Sequence, residues 1–282
     1  MSDLLAQTRD ICRLLEIKPA RSKGQNFLIN DKIYDDIVKA ADLQADDVVL
    51  EVGPCLGFLT TKLAARVKKV IAVELDDQLA NYLQMGVDSQ DIDNIEVINE
   101  DILRFDIADH LPESAASYKV VANLPYNITS IFLRRALSAN HRPTSLVLML
   151  QKEVAERIAA APPEMSILAV SVQYYAEPKI IRTVKAGNFW PEPDVDSAII
   201  RLDIHNQKSS PELDKKFFQV VRIGFSAKRK MLKNNLAAGF RIAPKIIEDL
   251  LIQQGFDPKL RAEDLTLSDW HKLFAALRSF VV

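Results

Sequence analysis

The chain has 282 residues, of which 48% are hydrophobic and 26% are charged, a composition typical of a folded globular protein and not of a disordered one. Its 36 Lys and Arg residues against 38 Asp and Glu give a formal net charge of -2, without the strongly basic balance of many nucleic-acid-binding proteins. The two cysteines, Cys12 and Cys55, belong to no Cys-x-x-Cys or Cys/His cluster, and the four histidines lie in unrelated segments. We therefore predict no disulfide framework and no metal site.

The start of the chain bears on where the protein acts. Asp3 and Arg9 interrupt the segment in which a signal peptide needs an unbroken apolar core, and no uncharged apolar run approaches the length of a membrane span. These features predict a soluble cytoplasmic protein that has no membrane partner. Within residues 1–17, apolar side chains recur at helical spacing, which predicts a helix that packs against a core. They are Leu4, Leu5, Ile11, Leu14 and Leu15.

Short runs rich in β-branched residues follow in order, and we predict five strands: 48–52, 70–73, 95–98, 120–122 and 146–150. Segments of helical composition lie between them, at 58–66, 77–85 and 131–137. Alternating strands and helices predict a parallel, doubly wound sheet with helices on both faces. Two later runs, 179–184 and 197–202, flank a proline-containing turn and predict a hairpin that closes the sheet.

The last part of the chain has a different character. Helical spacing without a convincing strand recurs in four segments: 213–223, 231–240, 245–253 and 267–277. The polar stretch 205–211 ends in proline and has the composition of a linker, so we predict one domain over 1–206 and a small helical domain over 207–282. After residue 206 the chain has 14 Lys and Arg against 8 Asp and Glu, a charge of +6, and the preceding part carries -8.

A nucleoside site is predicted where the first strands end. Gly53-Pro54-Cys55-Leu56-Gly57 follows the first strand, and Glu74 ends the second strand 21 positions after Gly53. A tight turn lets the backbone approach a ligand, and an acid after the second strand accepts hydrogen bonds from ribose hydroxyls. Because the third glycine of a dinucleotide fingerprint is missing and Pro54 removes a backbone donor, S-adenosylmethionine is a better candidate than a dinucleotide. A purely structural turn is the alternative for the glycine loop.

Asp101 follows the third strand and offers a carboxylate that would accept the adenine amino hydrogens of a nucleoside. A helix N-cap is the alternative role for this residue.

Asn123-Leu124-Pro125-Tyr126, which follows the fourth strand, is the most informative motif. The exocyclic nitrogen of adenine is a poor nucleophile because its lone pair is delocalised into the ring. The Asn123 side chain and the backbone carbonyls at Leu124 and Pro125 would accept its hydrogens as charge develops, and Tyr126 would stack on an extruded base. The alternative is an Asn-Pro loop whose tyrosine caps the sheet.

With these motifs in place, the sequence resembles the rRNA adenine N6,N6-dimethyltransferase family, most closely its small-subunit (16S) KsgA type. Lys23-Gly24-Gln25-Asn26-Phe27-Leu28 matches a family motif in which the asparagine and the leucine backbone contact the methionine part of the cofactor. The other matches to cofactor positions are Gly53, Glu74, Asp101 and Asn123. Residues 188–197 match the stretch F-x-P-x-P-x-V-x-S, which implies that Phe189 is placed against the target base.

The resemblance implies a Rossmann-like S-adenosylmethionine-dependent methyltransferase domain followed by a small all-α C-terminal domain. Cys55 departs from the family, which has glycine there, and a side chain at that position needs negative φ or costs about 1–3 kcal/mol. A catalytic thiol is the other interpretation of Cys55. A packed small residue is preferred, because no histidine lies near it in sequence and methyl transfer to nitrogen needs no covalent enzyme intermediate.

Positive charge concentrates in a stretch of 12 residues of the tail that contains no acid, with five cations: Arg222, Lys228, Arg229, Lys230 and Lys233. By itself such a run indicates a solvated helix face. The family resemblance makes contact with RNA phosphates the preferred role, with affinity that depends on salt and selection by RNA shape.

The expected activity is transfer of methyl groups from S-adenosylmethionine to N6 of adenine in small-subunit rRNA, twice per base. By resemblance, the targets are two adjacent adenines in a 3′-terminal hairpin loop, and the partner is a 30S particle or an assembly intermediate that a monomer modifies during subunit biogenesis. A large-subunit dimethylase that confers antibiotic resistance is one alternative. A non-catalytic ribosome assembly or transcription factor on the same fold is the other.

Overall fold

The computed structural model describes residues 3–19, 26–111, 117–206 and 210–280. Two compact units divide the chain: the first comprises Met1–Ala155 and Glu177–Ile204, and the second comprises Glu156–Ala176 and His205–Val282. The sequence prediction placed the boundary at 206/207, so it assigned residues 156–176 to the first domain. The structure groups that segment with the helical tail instead.

The first unit alternates strands and helices as predicted. Its helices are α1 (Leu4–Leu14), α2 (Asp31–Ala40), α3 (Phe58–Ala64), α4 (Asp77–Ser89) and α5 (Thr129–Ser138). Its strands are β1 (Phe27–Leu28), β2 (Val48–Val52), β3 (Lys69–Glu74), β4 (Ile95–Asn99), β5 (Lys119–Asn123), β6 (Ser145–Gln151), β7 (Ala176–Val184), β8 (Phe189–Trp190) and β9 (Ser197–Ile204). Helix α6 (Lys152–Ile158) and the first residue of β7 cross the boundaries between the units.

The main sheet has the strand order β4-β3-β2-β5-β6-β9-β7. The strands from β4 to β6 are parallel, and β9 joins β6 antiparallel, which confirms the predicted doubly wound sheet with a closing β7/β9 pair. Each residue of β2 is buried, as a central parallel strand covered on both faces requires. A separate short ladder pairs β1 with β8.

Helix α1 packs as predicted, since it buries Leu4, Thr8 and Cys12. Leu14, which the helical pattern also contained, is 75% exposed. The core of this unit joins α2, α3 and α4 to the sheet, with Ile37, Leu63 and Val147 among its buried members.

The second unit is helical. It contains α7 (Ile167–Gln173), α8 (Pro211–Gly224), α9 (Leu232–Phe240), α10 (Pro244–Gln253) and α11 (Leu267–Leu277). The four predicted tail helices are confirmed, whereas α6 and α7 were not predicted. Its core is centred on Phe217 and Trp270, and Gly224 lets the indole approach because an added Cβ would lie only 2.4 Å from Trp270. In the part of the chain that the structure describes, no helix has both the length and the apolar composition to cross a membrane.

Candidate cofactor and catalytic site

The register of the parallel strands brings the predicted site residues of the first unit to one edge of the sheet. Val52 pairs with both Val73 and Ala122, so Gly53, Glu74 and Asn123 each lie one position beyond a paired residue. Ligands bind at this carboxyl edge in open α/β sheets. We call these strand ends and the loops that follow them the carboxyl edge.

Glu74 is buried and held in one orientation by the backbone. Its Oε2 accepts a hydrogen bond from the Cys55 N–H at 3.0 Å, and its Oε1 accepts one from the Asp76 N–H at 3.0 Å. Burial raises the pKa of Glu74 and the two backbone donors oppose that increase. The carboxylate is therefore positioned before any ligand arrives, as a ribose-binding acid should be.

The loop after β2 uses the left-handed backbone region three times, at Gly53 (φ 67°), Cys55 (φ 52°) and Gly57 (φ 80°). Cys55 thus takes the strained alternative considered for a side chain at this position, and its backbone N–H points at Glu74 as a result. Burial raises the pKa of the Cys55 thiol, and the Glu74 carboxylate adds to the increase. A protonated, half-buried thiol fits a packing role and not a nucleophile.

Glu51 is a buried carboxyl in β2 for which no role was predicted from the sequence. It is 1% exposed, and its Oε2 has no hydrogen-bond partner among the described residues. Burial raises the pKa of Glu51 to about 8, and the nearby Glu74 carboxylate adds to the increase. The sequence did contain a signal for a functional carboxyl here, because Glu51 is an acid inside an otherwise apolar strand, two residues before Gly53.

A small cavity of about 20 Å³ adjoins this carboxyl, and its lining includes Leu28, Glu51, Gly53 and Asn123. A cavity of that volume holds one group of the size of a water molecule or an ammonium. Three residues from different predicted motifs, Leu28, Gly53 and Asn123, therefore meet Glu51 around a single small space.

The β1/β8 ladder brings the motif at 23–28, the first motif, next to the proline-rich motif at 188–197. In this ladder Phe27 pairs with Trp190 and Leu28 with Phe189. Asn26 lies just before this ladder, and its buried Oδ1 has no hydrogen-bond partner among the described residues. Lys23, Gly24 and Gln25, which also belong to the first motif, lie outside the described residues.

Asp101 lies beyond β4, where its Oδ1 accepts a hydrogen bond from the Leu103 N–H at 2.9 Å. The Arg104 and Phe105 N–H groups bond to its carbonyl. Asp101 thus caps a turn at 102–104 and not a helix, so the alternative role of helix N-cap is wrong, and the predicted adenine contact stays a prediction.

The tetrad lies where β5 ends. A Cβ added at Gly53 would be 3.9 Å from Pro125, so the cofactor loop and the tetrad are direct neighbours. Leu124 is buried, and the Tyr126 hydroxyl hydrogen-bonds the Ser197 hydroxyl at 2.9 Å. Ser197 is the last residue of the proline-rich motif, so this bond orients the Tyr126 ring through a second motif.

Phe189 has a different environment from the one that the resemblance implies. It is 3% exposed and packs in the core of the first unit. In this conformation it offers no open face to a base, so its predicted contact requires a rearrangement of the β1/β8 ladder. The neighbouring Trp190 is partly exposed, with the Arg9 guanidinium 5.6 Å from its ring centroid.

In the second unit, the predicted RNA-binding residues fall into two groups. Arg222 in the last turn of α8 is exposed, as are Lys228, Arg229 and Lys230 in the loop 225–231, which we call the basic loop. Buried Asn235 holds this loop, because its side-chain amide donates to the Ala227 carbonyl at 3.1 Å and to the Gly224 carbonyl at the end of α8 at 2.6 Å.

Lys233 differs from the residues of the basic loop. Its Nζ lies 3.1 Å from Glu248 Oε2 and its side chain is 19% exposed. Since that charge is balanced inside the unit, we leave Lys233 out of the proposed RNA surface.

The residues around the small cavity fit the methionine end of S-adenosylmethionine. An unpaired buried acceptor costs about 1–3 kcal/mol, so such an acceptor beside a cavity indicates that a ligand supplies donors. Glu51 lines the small cavity, and Asn26 directly precedes Phe27, which also lines it. Asn26 Oδ1 and Glu51 Oε2 are such acceptors, and the cofactor's ammonium is a donor of suitable charge. No group of three or more His, Cys, Asp or Glu suited to a metal occurs in the residues that the structure describes.

A doubly wound sheet with a glycine loop, a buried acid after its second strand and a polar tetrad at its fourth defines a nucleoside-binding α/β protein of the methyltransferase class. The family model of ribosomal RNA adenine dimethylase matches residues 18–279. The chain belongs to the ribosomal RNA adenine dimethylase family.

Relatives and solved structures agree with this assignment. The chain is 41% identical to the ribosomal RNA small subunit methyltransferase A of Dehalococcoides mccartyi strain CBDB1, over 96% of this chain and 92% of the relative. It is 39% identical to the protein of the same name from Clostridium botulinum strain Langeland, over 94% and 96%. A dimethyladenosine transferase from Plasmodium falciparum has a TM-score of 0.76 at 27% identity, covering 90% of this chain and 98% of that one. The 23S rRNA methyltransferase ErmE has a TM-score of 0.73 at 27% identity, covering 90% and 100%.

Proposed function

We propose that the protein transfers methyl groups from S-adenosylmethionine to N6 of adenine in small-subunit (16S) rRNA, giving N6,N6-dimethyladenosine. The observation that carries the proposal is that the cofactor loop at Gly53 and the tetrad at Pro125 are neighbours, since a Cβ added at Gly53 would lie 3.9 Å from the Pro125 ring. High identity over almost the full length to small-subunit methyltransferases supports the choice of subunit. Two adjacent adenines of a 3′-terminal hairpin loop are the proposed targets.

The proposed cofactor contacts follow from the charges and acceptors at the carboxyl edge. Glu74 would accept hydrogen bonds from the ribose hydroxyls, while Asn26 and Glu51 would accept hydrogen bonds from the methionine ammonium. The Leu28 backbone, Gly53 and Asn123 line the same space, and Asp101 would accept the adenine amino hydrogens with its remaining oxygen. When bound, S-adenosylmethionine supplies an electrophilic methyl group on a positively charged sulfur.

The tetrad would prepare the target nitrogen. The Asn123 amide oxygen and the backbone carbonyls at Leu124 and Pro125 would accept hydrogen bonds from the N6–H groups, so the developing positive charge meets oriented dipoles. Buried Leu124 and the rigid Pro125 fix these carbonyls, and Tyr126, oriented by Ser197, provides a face for the extruded base. The role of Phe189 against the base remains part of the proposal, with the ladder movement noted above.

The helical unit would hold the RNA. Arg222 and the basic loop present exposed cations that suit the phosphate backbone. We propose that the protein acts in the cytoplasm as a monomer on a 30S particle or an assembly intermediate, linked to small-subunit biogenesis.

The decisive experiment uses undermethylated small subunits and labelled S-adenosylmethionine, with digestion of the RNA and mass spectrometry of its nucleosides. We expect N6,N6-dimethyladenosine. No product with several authentic small-subunit substrates would contradict the proposal.

The similarity to ErmE keeps a large-subunit target as a second candidate. Offering undermethylated small and large subunits in separate reactions distinguishes them, and methylation of the large subunit alone would replace the proposed substrate. A non-catalytic assembly factor would bind particles without turnover.

The cofactor assignment has its own test. Glu74→Ala removes acceptors of charge-assisted hydrogen bonds, so we expect cofactor binding to weaken by about 1.5–3 kcal/mol in calorimetry. Unchanged affinity would remove Glu74 from the site.

A further inference from the structure

A groove on the first unit combines cations with an aromatic face. It has a volume of about 820 Å³ and is lined by the end of α1, the residues that follow it and Trp190. Arg9, Arg13 and Lys18 contribute positive charge, and Glu16 is the one acid that lines it among the described residues. Arg13 Nη1 lies 2.8 Å from Asp10 Oδ1, but both side chains are exposed, and an exposed ion pair is weak enough for a phosphate to replace the carboxylate. This is a local basic surface on the part of the chain whose charge is negative overall.

The aromatic face belongs to the same surface. Trp190 is partly exposed, and the Arg9 guanidinium lies 5.6 Å from its ring centroid. An exposed indole is a surface on which any nucleobase stacks, and an arginine beside it adds a cation–π contribution. Grooves that bind single-stranded nucleic acid combine such platforms with cations that follow the backbone.

The groove adjoins the proposed active site through shared packing. Cys12 and Ile17 line it, and they pack in one cluster with Phe27, Cys55 and Trp190. Phe27 and Cys55 also line the small cavity that contains Glu51 and Asn123. The groove and the cavity beside the tetrad are therefore linked by one cluster of shared side chains.

We propose that the groove formed by Arg9, Arg13, Lys18 and Trp190 binds single-stranded RNA next to the target adenine, with phosphates on the cations and one base on Trp190. This surface is separate from the basic loop, and it would position the nucleotide for reaction while the basic loop supplies general affinity. The inference rests on the proposed function, because it takes its ligand from the substrate assigned there.

The test compares two charge reversals of equal size. Arg9→Glu changes the groove, and Arg66→Glu changes an exposed arginine beyond the end of α3, near where β3 begins and therefore at the amino edge of the sheet. Binding of undermethylated small subunits is measured across a salt series for both variants and for the unmodified protein. We expect Arg9→Glu to weaken binding and to reduce the magnitude of the negative slope of log affinity against log salt by about one or more. Arg66→Glu should change neither quantity much. Equal effects of the two variants would overturn the proposal.

Two further measurements identify the occupant. Trp190→Ala should weaken binding by a factor of about 5 to 150, the range for loss of one base–aromatic stack, while calorimetric cofactor affinity checks that the variant is folded. Trp190→Phe, which keeps an aromatic ring, should retain most of the affinity that Trp190→Ala loses. Ultraviolet cross-linking on the same subunits should join the peptide containing Trp190 to a nucleotide, and a cross-link to a ribosomal protein instead would overturn the proposal.

The outcome is separable from that of the proposed function. If the unmodified protein methylates the subunits and Arg9→Glu binds and reacts as Arg66→Glu does, the groove proposal alone fails. If the unmodified protein yields no dimethyladenosine, the proposed function fails whatever the groove variants show.

Discussion

The carboxyl edge of the first unit and the basic loop of the second differ in how their functional groups are held. At the carboxyl edge, Glu74 is buried and accepts two backbone hydrogen bonds, and Glu51 is buried with an unpaired oxygen. In the basic loop, Lys228, Arg229 and Lys230 are exposed, and it is the backbone that Asn235 fixes. One region orients individual atoms, whereas the other presents charge.

This difference has consequences for mutational effects. Buried, oriented groups act through precise geometry at low dielectric, so loss of one group has a large effect. Exposed cations act through a summed field that salt screens, so each one contributes little. Substitutions at the carboxyl edge should therefore have large effects, and substitutions in the basic loop should have small ones.

The largest effect is expected at Asn123. Asn123→Ala removes the side-chain acceptor proposed for the N6 hydrogens, and loss of one such oriented group costs about 100- to 1,000-fold in turnover. Single-turnover methylation of undermethylated small subunits measures the rate, and particle binding should be nearly unchanged. Retained turnover would remove Asn123 from its assigned role.

A pH-dependent effect is expected at Glu51, whose pKa is raised by burial from its ordinary value near 4.5 to about 8. Between these values the carboxyl is protonated in the folded state and ionised in the unfolded state, so the free energy of unfolding falls as pH rises through this interval. The contribution is fully present below about pH 4.5 and is lost above about pH 8. Glu51→Gln should remove up to about 1.4 kcal/mol of this dependence for each pH unit.

Urea unfolding of both proteins between pH 5 and about pH 8 checks this prediction, and parallel stability profiles would contradict it. Cofactor binding provides a second measurement. A cationic ligand beside Glu51 should lower its pKa, so binding near pH 7 should release a proton in the unmodified protein and not in Glu51→Gln. Calorimetry in buffers of different ionisation enthalpy counts that proton.

Much of the carboxyl edge was predictable because its signals are local. Buried parallel strands require continuous apolar runs, and the residues that end them share an edge whatever the rest of the fold does. The positions of Gly53, Glu74 and Asn123 follow from that rule alone. Glu51 gave a signal too, since an acid in a fully buried strand needs a reason.

Other features depend on contacts between distant segments. Helix α7 has the apolar sequence ILAVSVQ, which is equally suited to a strand, and its cap at Ser166 and its packing with the tail core decide the outcome. The assignment of 156–176 to the second unit follows from the same packing. Burial of Phe189 results from its pairing with Leu28, and nothing in the motif itself indicates that pairing.

An intermediate effect is expected at Cys55, which occupies the left-handed region at φ 52°. Cys55→Val places a β-branched residue there and should destabilise the protein by about 1–3 kcal/mol. Cys55→Gly relieves the strain but makes the unfolded chain more flexible, so its stability should stay close to that of the unmodified protein. Urea midpoints of the two variants check this, and equal midpoints would mean that the loop relaxes to another conformation.

The smallest effects are expected in the basic loop, where Lys230→Gln removes one exposed charge. The free energy of unfolding should change by less than about 0.5 kcal/mol, and the slope of log affinity for small subunits against log salt should fall by about one. Lys233→Gln is the matched control, because its ammonium is already paired with Glu248. If the paired lysine changed the salt slope as much as Lys230, exposure would not distinguish the RNA-binding cations from the structural ones, and the contrast with the carboxyl edge would rest on burial alone.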